Sequence, residues 1–243
     1  MPRQRLFRTP AIVLKRTDLG EADRIITLYT RDYGKLRAVA KGVRRTTSRS
    51  AGHLEPFTLT DVLFAQGREL DVVSQALTIE PFREVREDLD RATYAYYLAE
   101  VVDLLAEERM DNRAVFDALT GGLRALAAAA DPRLVLVSFH LRLLDGLGYR
   151  PELRECLNCQ TTIEPGNNQF SPLVGGVLCP SCGPREASAR PISVPALKLL
   201  RYVQHAAAFP VGLGVPPTSP ARPRACCATT PSTSSSAACA APP

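Results

Sequence analysis

The chain has 243 residues, of which 45% are hydrophobic and 23% are charged, a composition typical of globular proteins. No apolar run approaches the roughly 20 residues of a membrane span, and the basic N-terminus lacks the apolar core of a secretory signal, so we expect a cytoplasmic protein. Residues 1–50 contain 13 Lys and Arg against 4 Asp and Glu, whereas the rest of the chain contains 17 against 21. A basic end of this kind indicates a polyanionic partner.

Residues 1–81 are predicted to form a small barrel. Five runs rich in Val, Ile, Leu, Thr and Phe are separated mostly by turn-forming residues, and they cover residues 11–17, 24–30, 35–41, 57–65 and 70–79. A longer excursion lies between the third and fourth runs. Five short strands fit a closed barrel, which leaves no exposed strand edge. Strand counting also allows an SH3-like barrel.

Residues 82–150 are predicted to form a helical bundle, because the hydrophobic period changes to 3.6 after Glu84. A first stripe combines Leu89, Ala92, Tyr96, Ala99, Val102 and Leu105. Two more helices are expected over residues 112–129 and 133–147, with Pro132 in the first turn of the latter. After a Cys-rich insertion over residues 151–190, residues 191–205 are predicted to return as a further helix of the bundle.

Residues 206–243 contain no Lys, Asp, Glu, Ile or Tyr and are dominated by Ala, Pro, Ser and Thr. Such a segment cannot bury enough apolar surface to offset its ordering entropy. We therefore expect a disordered or frame-shifted tail outside the fold. A bundle that ends at this point is expected to leave part of one apolar stripe exposed, namely Leu136, Phe139, Leu143 and Leu197.

Four cysteines follow the pattern Cys-x2-Cys-x19-Cys-x2-Cys, and they are Cys156, Cys159, Cys179 and Cys182. Two residues between cysteines let both sulfurs of a knuckle point at one metal, and two knuckles complete a tetrahedral sulfur site. We predict one structural Zn²⁺ per chain, because four protein ligands leave no open position for catalysis. Redox cysteines or two disulfides are the alternatives.

A basic run surrounds the third predicted strand, where three cations alternate with apolar residues and therefore share one face. Tyr29 and Tyr33 lie nearby as candidates for stacking on bases, although burial in the core is the commoner fate of a tyrosine on a strand. A cationic barrel face with adjacent aromatic residues is a common design for binding single-stranded nucleic acid. The candidate DNA-binding residues are Arg16, Arg24, Lys35, Arg37, Lys41, Arg44 and Arg45.

Catalytic motifs are sparse in this sequence. His53, His140 and His205 are scattered, and His140 lies in an apolar helix where a satisfied core histidine is the ordinary outcome. The sequence contains no phosphate-loop signature and neither of the G-x-S-x-G and H-E-x-x-H motifs. This inventory favours a binding protein over an enzyme.

Residues 19–45, LGEADRIITLYTRDYGKLRAVAKGVRR, closely resemble the N-terminal domain of the RecO family of bacterial recombination mediators. The resemblance continues through residues 53–57, 94–100 and 148–151, and it covers roughly residues 5–204. It implies an α+β protein with an N-terminal OB-fold, a helical bundle and an inserted zinc ribbon. The chain departs from the family after Gln204, where the family usually continues with charged helices.

The resemblance also implies a non-enzymatic, nucleoid-associated protein that binds single- and double-stranded DNA and anneals complementary strands. Its implied partners are RecR and the single-stranded DNA-binding protein, with RecA loading as the outcome. A transcription or RNA-binding module with a zinc ribbon is the first alternative. A zinc-containing hydrolase, which requires an open metal position, is the second.

Overall fold

The computed structural model describes residues 6–212. Five strands form a closed barrel: β1 Leu6–Leu19, β2 Asp23–Thr30, β3 Gly34–Ala40, β4 Leu59–Ala65 and β5 Asp71–Glu80. The order around the barrel is β1-β2-β3-β5-β4, and only the β3–β5 pair is parallel. This arrangement is the five-stranded Greek-key barrel of an OB-type domain, so the predicted fold class is confirmed.

Side chains on the barrel strands alternate between two cores. Residues such as Val13, Leu28 and Phe64 point inward and fill the barrel. Ile12 and Tyr29 point the opposite way and join the core of the helices. Because alternation is strict along a strand, one side of the barrel is available as a floor for the helical region.

Strand β1 begins at Leu6, five residues before the predicted start. Its first half, Leu6–Ile12, pairs with β4, and its second half, Ala11–Leu19, pairs with β2. A strand that closes a barrel in this way serves two neighbours in succession and must be long. The first half was not predicted because Arg8 interrupts its apolar residues. The Arg8 guanidinium lies 2.9 Å from Asp61 on the neighbouring strand β4.

The helical region consists of α1 Arg83–Glu87, α2 Leu89–Leu105, α3 Arg113–Ala128 and α4 Pro132–Gly146. The three longer helices begin at side-chain caps, in which Asp88, Asn112 and Asp131 accept backbone hydrogen bonds from the first turn. Two of the starts, Arg113 and Pro132, lie within one residue of the predicted starts at residues 112 and 133. Within residues 6–212, no helix is both long and apolar enough to cross a membrane.

Only the middle of the predicted α2 stripe is correct: Ala99 and Val102 are buried, whereas Tyr96 is 57% exposed. Leu89 and Leu105 are 83% and 52% exposed, whereas the buried positions are Ala95, Leu98, Ala99 and Val102. Two alanines on the inner side allow a close approach of the neighbouring helices.

Residues 151–192 form a small cysteine-bearing module. Its three-stranded sheet contains β6 Gln169–Ser171, β7 Gly176–Leu178 and β8 Arg190–Pro191, in the order β7-β6-β8. Helix α5, Val194–His205, follows. Leu197 of α5 belongs to the core of the module, and Arg201 donates to the carbonyl oxygens of Leu153 and Ile163 at 2.7 and 3.1 Å. The predicted return helix therefore packs against the module as well as against α4.

The prediction that the fold ends at residue 205 is wrong for residues 206–212. Phe209 packs against the helical core, where Gly121 leaves room for its ring, and Val211 accepts a hydrogen bond from the backbone of Ala130 at 3.0 Å. Phe139, Leu143 and Leu197 are at least 97% buried, so this stripe is not exposed as expected. The rest of the predicted tail lies outside the described residues.

Candidate nucleic-acid interface and metal centre

Lys15, Thr27 and Arg37 form a row across the outer face of β1, β2 and β3, because strand register pairs Lys15 with Thr27 and Thr27 with Arg37. Both cations are exposed, and neither makes an ion pair with any residue between 6 and 212. A register shift between Val13 and Lys15 places the Lys15 side chain on this face. Sequence reasoning missed Lys15, since a bulge has no reliable sequence signal.

The loop after β3 presents Lys41 and Arg45 as further exposed cations, together with Arg44 and Arg49. Gly42 has a φ of +62°, a conformation that glycine adopts without a steric cost, and its N–H donates to Asp23 Oδ1 at 2.7 Å. The Arg44 N–H donates to the carbonyl oxygen of Ala22 at 2.9 Å. These bonds fix the start of the loop against the β1–β2 turn, so its cations are held beside the row on the barrel.

Three predicted DNA-binding arginines form ion pairs. Arg24 lies 2.8 Å from Asp18, Arg44 lies 3.4 Å from the same carboxylate, and Arg16 lies 2.6 Å from Glu55. The hydrogen bond from Arg24, together with the positive charge of Arg44, holds the pKa of Asp18 below its usual value. These arginines stabilise the loops around the face, and their charges are already partly compensated.

Lys35 has a different position from the one predicted. Its ammonium group donates to the Asp103 carbonyl oxygen at 2.6 Å and lies 3.4 Å from the Asp103 carboxylate, and 13% of its side chain is exposed. Tyr29, two strand pairs from Arg37, is also covered: its hydroxyl donates to the Asn112 carbonyl oxygen at 3.2 Å, and burial raises its pKa to about 12. Both side chains therefore join the barrel to the helices.

The structure divides the seven predicted cations into two groups. Arg16, Arg24, Lys35 and Arg44 are engaged in ion pairs, whereas the other three make none with the described part of the chain; these are Arg37, Lys41 and Arg45. With Lys15 they make up the open cationic face, the name used below for these four residues. Tyr33 is 40% exposed but packs its ring against Phe7, at the other end of β3 from the loop.

The four predicted cysteine ligands come together at one point, with their sulfur atoms all within 4.8 Å of one another. The Cys159 and Cys179 sulfurs are 3.8 Å apart, far beyond the roughly 2.05 Å of a disulfide. A tetrahedral metal with sulfur ligands at about 2.3 Å separates its ligands by about 3.8 Å. Spacing and donor set therefore fit a four-coordinate metal ion.

Polar groups favour the thiolate, the form that binds metals, at Cys156 and Cys159, whereas at Cys182 the Asn158 amide lowers the pKa but the neighbouring cysteines raise it to about 11. Burial alone would raise the pKa of Cys156. Hydrogen bonds from the backbone N–H groups of Cys179, Cys159 and Asn158 outweigh this effect and lower the pKa to about 6. The Asn158 amide also donates to Cys182 at 3.3 Å, and the Thr161 hydroxyl lies 3.1 Å from Cys159. The cluster can therefore hold a metal ion through four sulfur ligands.

His140 has a hydrogen-bond partner, as expected, but it is only partly buried and does not belong to the helical core. Its Nε2 atom lies 2.9 Å from the Tyr97 hydroxyl, and burial lowers its pKa. His53 similarly lies 2.8 Å from the Thr78 hydroxyl through Nδ1.

The fold and the two sites define a class of modular protein, in which an OB-type barrel with an open cationic face is joined to helices that carry a four-cysteine cluster. Comparison with known families gives the particular one. Residues 3–82 match the family model for the recombination protein O N terminal domain, and residues 86–219 match that for the C terminal domain. The chain belongs to the RecO family of DNA repair proteins.

Similar curated proteins carry the name DNA repair protein RecO. The Roseiflexus sp. (strain RS-1) protein is 48% identical over 202 residues, which cover 83% of this chain and 71% of the relative. The Nocardioides sp. protein is 47% identical over 200 residues, 80% of this chain and 82% of the relative. The Dehalococcoides mccartyi (strain CBDB1) protein is 39% identical over 198 residues, with 82% and 78% covered.

Proposed function

We propose that this chain binds DNA through the open cationic face and acts without catalysis as a strand-annealing mediator of bacterial recombinational repair. The observation that carries the proposal is the open cationic face, whose exposed side chains form no ion pair within residues 6–212; these are Lys15, Arg37, Lys41 and Arg45. Membership of a DNA repair family supports DNA as the polyanion.

The proposed mechanism is electrostatic. Each cation that contacts a backbone phosphate releases condensed counterions, which supplies most of the binding free energy and makes affinity depend on salt. A strand held in this way keeps its bases accessible while part of its charge is neutralised. A complementary strand can then approach with less repulsion, and pairing completes the annealing step.

The partners of the proposed mediator are RecR and the single-stranded DNA-binding protein, and the outcome is RecA loading on the coated strand. These partners follow from the resemblance to the RecO family. We also propose that the metal is one structural Zn²⁺ per chain, held by Cys156, Cys159, Cys179 and Cys182, because four sulfur ligands in tetrahedral spacing suit zinc.

The DNA surface is tested with a pair of matched double variants. Lys41→Ala/Arg45→Ala removes two cations of the open face, and Arg83→Ala/Lys198→Ala removes one Arg and one Lys that are exposed elsewhere. Binding of a fluorescent single strand is measured across a salt series. The first variant should lower the log–log salt slope by about 1.4, or about 0.7 for each phosphate contact, and the second should leave it unchanged.

Equal slopes for the two double variants would place the DNA surface elsewhere on the protein. Annealing is measured separately, with complementary strands coated by single-stranded DNA-binding protein. We expect the parent protein to accelerate pairing and the Lys41→Ala/Arg45→Ala variant to lose most of this effect. Equal affinity for RNA and DNA without any annealing would favour the alternative of an RNA-binding or transcription module.

A further inference from the structure

A cleft of about 510 Å³ opens where the barrel and α2 diverge. This volume lies within the roughly 300–1,000 Å³ of clefts that bind small molecules. The apolar part of its lining comes from Leu14 and Pro56 on the barrel and from Ala99 and Leu104 on α2. It begins directly beside the open cationic face, because Lys15 belongs to both.

Tyr96 supplies an aromatic wall to this cleft. Its ring meets the buried Phe57 edge to face, with ring centroids 4.7 Å apart, and 57% of the residue is still exposed. The contact with Phe57 restricts the ring without covering it. A fixed, half-exposed tyrosine beside a phosphate-binding surface is suited to stacking on an unpaired base.

Opposite charges face this cleft from its two sides, Lys15 from β1 and Glu100 from α2. Both are exposed, and they form no ion pair with each other or with another described residue. The lining also contains Arg16 and Asp103, but these are paired with Glu55 and Lys35. Lys15 and Glu100 are therefore both available to a ligand that enters the cleft.

We propose that this cleft captures one unstacked base of a bound single strand. Lys15 contacts the phosphate at the entrance, Tyr96 stacks on the base, and Glu100 accepts a hydrogen bond from the base edge. The carboxylate also repels phosphates, so the strand enters with its base and not with its backbone. This inference rests on the proposed DNA-binding function, and it adds the site at which a base is held.

The chemistry of Glu100 sets the preferred base. Cytosine offers an exocyclic amino group, which is the usual donor to a carboxylate side chain. Uracil offers only a ring N–H flanked by two carbonyl oxygens, and a carboxylate repels both. Cytosine and uracil are pyrimidines of nearly the same size. We therefore expect the cleft to bind cytosine more tightly than uracil, by the factor of about 2 to 10 in affinity that one hydrogen bond provides.

The stacking contact is tested with Tyr96→Ala, Tyr96→Phe and the control Tyr149→Ala, which removes a 74% exposed tyrosine outside the cleft. Affinity for a single strand is measured over a salt series. Tyr96→Ala should weaken binding by about 5- to 10-fold at every salt concentration, near the lower end of one stacked base, with an unchanged salt slope. Tyr96→Phe and Tyr149→Ala should bind like the parent.

These outcomes separate the cleft from the cationic face. If Tyr96→Ala binds like the parent while Lys41→Ala/Arg45→Ala loses affinity, base capture is wrong and the proposed function stands. If neither variant changes binding, both are wrong. Circular dichroism confirms that each variant is folded, and a loss of affinity in Tyr96→Ala that Tyr96→Phe shares would contradict stacking, because phenylalanine keeps the ring.

The base preference is tested with oligo(dC) and oligo(dU) of equal length, at a pH at which cytosine is neutral. Glu100→Gln should abolish the preference for oligo(dC), whereas the control Glu107→Gln, an exposed acid beyond the end of α2, should retain it. Parent protein that binds both strands equally would exclude Glu100 as the acceptor. A preference that survives Glu100→Gln would have the same meaning.

Discussion

Arg109→Ala should destabilise the junction between the barrel and the helices, because Arg109 neutralises a buried carboxylate. The side chain of Asp71 is fully buried, and Arg109 reaches it at 2.9 Å from the segment between α2 and α3. Removing one partner of a buried pair costs about 3–5 kcal/mol. Because 55% of the Arg109 side chain is exposed, water already weakens the pair, and we expect about 1.5–3 kcal/mol.

A second substitution at the same position separates charge from backbone strain. Arg109 has a φ of +61°, a left-handed conformation that costs a non-glycine residue about 1 kcal/mol. Arg109→Gly loses the same ion pair but relieves this strain. It should therefore be less destabilised than Arg109→Ala, by up to about 1 kcal/mol after allowance for the extra backbone freedom of glycine.

Urea unfolding followed by far-ultraviolet circular dichroism measures both effects, since the chain contains no tryptophan. Arg113→Ala is the matched control: this arginine lies in the same part of the chain but pairs on the surface, with Asp32 at 3.0 Å. A surface pair contributes about 0–1 kcal/mol. Equal midpoints for Arg109→Ala and Arg113→Ala would refute the assignment of Arg109 to a buried charge pair.

Three further predictions concern metal, pH and packing. Cys179→Ser should release the metal and leave the barrel folded, and elemental analysis that finds metal at the parent level would contradict this. Since burial raises the pKa of Tyr29 to about 12, the stability it provides is complete below about pH 10 and is lost as pH rises towards 12. Tyr29→Phe should therefore unfold at a higher pH than the parent in an alkaline titration followed by circular dichroism. Gly34→Ala should lower the thermal unfolding midpoint, because the added Cβ would lie 1.9 Å from the Met110 carbonyl oxygen. An unchanged midpoint would show that the segment between α2 and α3, which contains Met110, moves aside freely.

Features with a local signal could be predicted from the sequence. The Cys-x2-Cys spacing located the four-cysteine cluster, because each knuckle is made by residues that are close in sequence. Pro132 marked the start of α4 for the same reason. Leu6 was missed as the start of β1, since its strand depends on pairing with β4 more than 50 residues later.

The roles of the individual cations could not be predicted, because their partners are distant in sequence. Lys35 and Arg37 look alike on one strand, yet the first contacts Asp103, 68 residues away, and the second stays open. Arg16 similarly depends on Glu55, 39 residues away. A count of basic residues therefore located the cationic side of the barrel, while tertiary contacts determine which charges are available.

Helix α2 determines how much of the outer face of the barrel remains open. Tyr29 and Lys35 are partners in the β2–β3 register, and the adjacent helices cover both. The next outward pair, Thr27 and Arg37, lies beyond this cover. The boundary between the covered and the open part of this face therefore falls between two outward-pointing residue pairs. Because side chains alternate along strands, a shift of the strand register by one residue would turn Arg37 into the barrel. The end of α2 thus fixes both the limit of the cationic face and the cleft beside it.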